Sequence, residues 1–148
     1  MNTLPNAKSA RTPGEREKVK RTIERRGLGG LANDTKWDEF ISGMRTIFHM
    51  DAHGWRPSYR FKCVDGVPSG WDVEWSYHLP FPMISVEWFD IAFQQEIRDK
   101  RLPPNIEVID HAPRIAELLR GIGLEFETGA TMIRIFGYAP KSLELFDA

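Results

Sequence analysis

The stretch WDVEWSYHL, residues 71–79, alternates without a fault: Trp71, Val73, Trp75, Tyr77 and Leu79 on one side, Asp72, Glu74, Ser76 and His78 on the other. Successive side chains on a strand point to opposite faces, so this period of two predicts a half-buried β-strand. Its aromatic face would supply a core, and its acid-rich face would meet water or a partner. Just before it, SYRFKCV (58–64) reads as another strand and DGVPSG (65–70) as a turn, which predicts an antiparallel hairpin. Just after it, Pro80 and Pro82 cannot both join a ladder and so end the strand. A third strand is expected from about Ile84 to Phe93, with an ambiguous register, because Ile84, Val86 and Trp88 share one face and Phe89, Ile91 and Phe93 the other. A bulge near Trp88, a strand covered on both faces, or an early switch to helix would each produce that pattern.

Helices flank these strands. Trp37, Phe40, Ile41, Met44, Ile47 and Phe48 fall at helical spacing, which predicts an amphipathic helix from about Thr35 to Met50, capped by Asn33 or Asp34. Another is expected from Pro113 to Arg120, capped by Asp110, with Ile115, Leu118 and Leu119 inward and Gly121 and Gly123 at its end. Residues 94–109 read as a connection with a short extended piece at IEVI. LEFET and TMIRIFGYA, around Gly129, read as a second hairpin. The fold expected is α+β: a single, mainly antiparallel sheet of about five strands with helices on one face.

The leading segment reads differently. Residues 1–11 look like a loose tail, and T-P-G-E at 12–15 starts a basic helix that runs to about Arg26 and stops at Gly27, Gly29 and Gly30. With only Val19 and Ile23 apolar, that helix is expected to rest lightly on the rest. The chain therefore divides into a basic tail, helix and Gly-rich linker, residues 1–30, and a single α+β domain, residues 31–148.

Composition narrows the function classes. With 148 residues, 41% of them apolar, five Trp and nine Phe, the chain suits one soluble domain that buries roughly 70% of its unfolded surface. It needs no cofactor, metal or disulfide to fold. Residues 1–26 hold eight Lys or Arg against three Glu, while residues 27–148 hold twelve against eighteen Asp or Glu. An acidic body argues against nucleic acid and suits a basic partner. No signal-peptide pattern and no long apolar run is visible, so a cytoplasmic protein off the membrane is expected. The lone Cys63 reads as a buried, inert thiol.

The candidate chemistry is sparse. Asp72, Glu74 and His78 share one predicted strand face, and Glu87 would join them if the register allows. Two carboxylates and an imidazole could bind a divalent cation or work as acid and base. The plainer reading is a solvated or protein-binding surface. His49 and His53 are four apart, but Gly54 and the expected helix end make them helix-end residues rather than ligands. There is no G-x-S-x-G, and the GLGG at 27–30 follows a helix, where a phosphate-binding loop would follow a strand.

NDTKW (33–37), WDVEWSYH (71–78), VEW (86–88) and IFGY (135–138) together resemble a bacterial family of small proteins catalogued only as a domain of unknown function, over roughly residues 31–140. The resemblance implies no activity, cofactor or catalytic residue. Small acidic α+β proteins of this kind are similar, in size and charge alone, to immunity proteins that neutralise toxins by direct binding. The expectation is a non-enzymatic immunity protein that meets a basic toxin domain through Asp72, Glu74, His78 and Glu87, with Trp55 or Trp88 as an aromatic anchor. The alternatives are a small enzyme or metal-binding domain using Asp72, Glu74 and His78, and a regulator that docks through its basic helix.

Overall fold

The computed structural model describes residues 4–148, so the start of the expected tail, residues 1–3, lies outside the described residues. The fold is α+β. Helix α1 (Glu15–Arg26) leads to a short strand β1 (Gly29–Gly30) and helix α2 (Asp34–Met50). Strands β2 (Tyr59–Cys63), β3 (Val86–Ala92), β4 (Gln94–Arg98) and β5 (Ile106–Asp110) follow. Helix α3 (Ala112–Ile122) and strands β6 (Glu125–Thr128), β7 (Met132–Phe136) and β8 (Tyr138–Ala139) complete the order. The expected single sheet of about five strands is instead one antiparallel sheet of four, β2-β3-β7-β6, with two separate pairs, β4-β5 and β1-β8. The reason is that residues 71–79 do not join the ladder, and the polar run before IEVI forms a strand of its own.

Helix α2 begins where its sequence asks it to: the Asn33 side chain accepts from the Lys36 amide at 2.8 Å. Its apolar stripe packs on one sheet face, with Trp37 and Phe40 against Phe89 at 6.2 and 5.5 Å between ring centroids. Helix α3 adds Ile115 and Leu119 to the same core, beside Ile133 and Ile135 of β7. The N-cap of α3 is His111 rather than the expected Asp110, whose carboxylate lies one residue earlier and accepts from the Ala112 amide at 2.8 Å.

The ambiguity of β3 resolves in two of the three ways expected. Lys62 pairs with Trp88 and Cys63 with Val86, so Glu87 is the extra residue of a bulge. The strand is also covered on both faces, with Val86 through Ile91 all buried. Its second face holds Trp88 and Asp90, and is covered by the Arg134 side chain from neighbouring β7 and by the C-terminal residues. Arg134, fully buried, donates to both Asp90 oxygens at 2.7 and 2.9 Å and to the Ser142 carbonyl at 3.1 Å. Its guanidinium carbon lies 3.8 Å from the Trp88 ring centroid. Arg60 reaches Asp90 at 2.9 Å and the Leu145 carbonyl at 2.7 Å.

The leading segment is not the lightly docked appendage expected. Val19 of α1 is buried against Val64 and Tyr138, and Arg26 donates to Glu87 at 2.7 Å and to the Val64 carbonyl at 2.6 Å. Arg16 pairs with Asp34 at 3.1 Å. The chain ahead of α1 is held just as firmly, since Ala7 is buried and its amide donates to Asp38. The GLGG linker is itself structural, for Gly29 and Gly30 pair with Ala139 and Tyr138. Among the described residues of this segment, 4–30, ion pairs and backbone bonds to the rest of the chain supply what the thin apolar stripe does not. Gly137 fits this junction because a Cβ there would collide with the Val86 carbonyl.

Replacing Asp90 with Asn leaves Arg134 buried without a counter-charge. The expected loss is about 3–5 kcal/mol of stability, seen as a lower urea midpoint at unchanged slope.

Candidate functional site

Segment 71–78 does not form a strand. Only Asp72 bridges to Tyr59, through paired backbone bonds of 2.8 and 2.9 Å. Beyond it the chain turns, and the acidic side chains hold the turns. The Asp72 carboxylate accepts from the amides of Val73 and Glu74 at 2.7 and 2.9 Å. The Glu74 carboxylate accepts from the amides of Ser76, Tyr77 and His78. Both groups titrate below their ordinary range. For Asp72 the bond from the Glu74 amide is the main cause; for Glu74, burial pushes upward and the three amides more than offset it.

The rest of the segment's backbone is held from outside. Arg45 donates to the Trp75 carbonyl at 2.9 Å, and the Tyr59 hydroxyl donates to the Glu74 carbonyl. Arg11 donates to the carbonyls of Tyr77 and Leu79 at 2.9 and 2.6 Å. Trp75 anchors the middle, buried among Phe40, Phe48 and Tyr59, with its indole N–H on the Pro57 carbonyl at 2.9 Å. Because the chain turns, the alternation does not carry through. Trp75 and Leu79 point inward, while Trp71, Val73 and Tyr77 stand 45%, 54% and 54% exposed. Arg60 lies over the Trp71 ring at 4.7 Å.

Of the residues expected to form a site, Asp72, Glu74 and His78 do come together, with His78 Nδ1 2.9 Å from Asp72 Oδ2. The other three do not join them as an exposed contact face. Glu87 is 6% exposed and bound between Arg26 and Lys62; burial pushes its carboxyl upward and those two cations hold it below its ordinary range. Trp88 is fully buried over Arg134, and Trp55 is 7% exposed. Neither tryptophan can serve as a surface anchor in this conformation. The exposed aromatics are Trp71 and Tyr77, which the alternation assigns to the core. A signal was present: an acid two residues before the amides it can bind, at Asp72 and again at Glu74, is turn chemistry as much as strand pattern.

Trp55 has another role. It stacks on His111 with centroids 3.8 Å apart, and His111 Nε2 lies 2.7 Å from the Gln95 amide oxygen. Gln95 in turn reaches Asp51, whose carboxylate accepts from the amides of His53 and Trp55. Burial, then the charge of Arg114, hold His111 below its ordinary value.

Two cavities adjoin the segment. One, of about 420 Å³, is lined by Cys63, His78 and the start of α1; the other, of about 440 Å³, by Arg45, His49, Arg56 and Tyr77. Cys63 lies 3.4 Å from the Ser85 hydroxyl, and burial pushes its thiol upward, which disfavours the reactive thiolate. Among the described residues no three His, Cys, Asp or Glu side chains are placed to hold a metal ion. Nor, among them, is any helix long and apolar enough to cross a membrane.

Two measurements check this geometry. Removing the Glu74 carboxylate with Glu74→Ala frees three amides, and those of Ser76 and Tyr77 should exchange with solvent roughly tenfold faster, the equivalent of one hydrogen bond to a charged acceptor. Burial and the charge of Arg114 disfavour the charged form of His111, so its folded value lies below the ordinary 6.5. Its contribution is intact above 6.5 and is lost as pH falls through the lower folded value. Urea midpoints should therefore drop in that window for the native chain and drop less in His111→Gln. The carboxylates act at lower pH, near and below their ordinary values of 3.8 to 4.5.

No curated protein and no solved structure matches the chain. A family does, over residues 19–142, a span that includes most of α1 as well as the sheet, α2 and α3. That span agrees with a helix α1 built into the fold rather than appended to it. The chain belongs to this family, the family of unknown function DUF6678.

Proposed function

We propose that this protein is a non-enzymatic protein-binding module, acting in the cytoplasm, and that residues 71–78 are its contact segment. The observation that carries the reading is the pairing of exposure with rigidity. Trp71, Val73 and Tyr77 are held out to solvent on a backbone with no strand ladder, pinned by Asp72, Glu74, Arg45, Arg11 and the Tyr59 hydroxyl. Single exposed apolar residues are ordinary; three within seven residues of a pre-ordered segment, two of them, Val73 and Tyr77, lining one cavity, are what a binding segment offers. Ordering the segment in advance lowers the entropy lost on binding.

The narrower form of the proposal is an immunity protein that neutralises a basic toxin domain. Residues 27–148 hold twelve Lys or Arg against eighteen Asp or Glu, but with α1 docked the whole chain carries only −1, so the steering of a cationic partner in this reading is local, from Asp72 and Glu74. Asp72 and Glu74 also act by shaping the segment, and the aromatic pair supplies the binding energy.

Affinity capture from the native host, with the wild-type chain beside Trp71→Ala/Tyr77→Ala, tests this. A specific partner should be held by the first and lost from the second, with affinity reduced at least about 30-fold and the circular dichroism of the domain unchanged. Equal capture by both would remove segment 71–78 from the interface. Weaker capture at higher salt would favour the basic partner, and capture indifferent to salt would count against it.

A further inference from the structure

The edges of the four-stranded sheet are managed locally. On β2, Phe61 exchanges hydrogen bonds with Ser69 and Tyr59 with Asp72, and β6 is only four residues long with Glu125 and Glu127 on it. The β4-β5 hairpin is left open by comparison. It pairs with no other strand, and Ile106, Val108 and Leu102 on it are 47%, 59% and 96% exposed. A hairpin of two strands is marginal in water.

Backbone alternation shows which groups its first strand leaves free. The His111 amide donates to the Phe93 carbonyl, and the Asp99 amide to the Asn105 carbonyl, so the odd-numbered residues of β4 face β5. The N–H and C=O groups of Gln94, Glu96 and Arg98 face the other way, and none has a partner among the described residues. That edge contains no proline and no bulge. We propose that β4 pairs antiparallel with β4 of a second copy of this chain, about a twofold axis at Ile97.

Charge selects the occupant and the register. Centred on Ile97, the outward-facing residues fall opposite one another, Glu96 against Arg98 of the second copy and Arg98 against Glu96 of it. Within one chain Glu96 and Arg98 already pair at 2.6 Å, so across the axis each gains a second opposite charge, and opposite charges directly across a ladder stabilise it. A register centred on Glu96 would instead place two glutamates face to face. The other free edge of the hairpin, β5, is IEVID, with two acids and no base, so no register of it with itself gains an ion pair. The result would be a continuous sheet of four strands in place of two marginal pairs.

Sedimentation velocity over a concentration series, combined with hydrogen exchange, tests the pairing. The expected result is a concentration-dependent dimer in which the Glu96 and Arg98 amides slow as the dimer fraction rises. Glu96→Arg and Arg98→Glu should each weaken association roughly tenfold, since both symmetry-related pairs turn repulsive. The double variant Glu96→Arg/Arg98→Glu should regain it. A chain that is monomeric throughout, a dimer whose Glu96 and Arg98 amides exchange as fast as in the monomer, or single reversals without effect would overturn the proposal.

Discussion

Arg134 is enclosed on every side, and its charge sets the terms for half of the molecule. A guanidinium cannot shed its proton, so it must be paired where it lies. Asp90 does this from the adjacent strand, and Trp88 covers the cation from the same strand face. The Ser142 carbonyl takes a further donor, and Phe146 closes the other side at 5.5 Å. The C-terminal residues thus have a defined place on the sheet face opposite α2. Arg60 joins the same carboxylate and ties β2 into the arrangement.

The two faces of the sheet follow different physics. Against α2 and α3 the contacts are between aromatic and aliphatic side chains, driven by burial. On the other face they are directional, with one carboxylate serving two cations: Asp90 takes Arg134 and Arg60, and Glu87 takes Arg26 and Lys62. The same division applies to α1. Its outer residues Lys18, Lys20, Arg21 and Arg25 are exposed, while Arg16 and Arg26 are engaged by Asp34 and Glu87. The basic leading segment and the acidic body are in this sense two halves of one charge balance.

What the sequence made legible was whatever burial alone dictates. Helices α2 and α3 announce themselves because an apolar stripe at 3.6-residue spacing fits a helix and little else. Strand β3 was legible as a strand and ambiguous in register, since a bulge and two covered faces both erase the alternation that fixes it. Residues 71–79 misled for a definite reason: Asp72 and Glu74 fall two residues apart whether they line a strand face or cap successive turns. Of the candidate site, the closeness of Asp72 and Glu74 was legible from spacing, but His78 meets Asp72 only because the segment turns; on the expected strand six residues would set them about 20 Å apart. The burial of Glu87, Trp55 and Trp88 was not, because it depends on Arg26, His111 and Arg134, which lie far away in the chain. The docking of α1 was hidden for the same reason.

Strand β3 also has a kinetic consequence. Its partners are β2, about thirty residues earlier, and β7, about forty-five later, as in the pairings of Arg60 and Arg134 with Asp90. Neither ladder can form until a long loop has closed, and loop closure costs entropy before any contact rewards it. A chain organised around such a strand is expected to fold more slowly than a helical bundle of its length. Its helices can gather early, but the decisive step is the arrival of two distant segments on either side of Val86–Ala92.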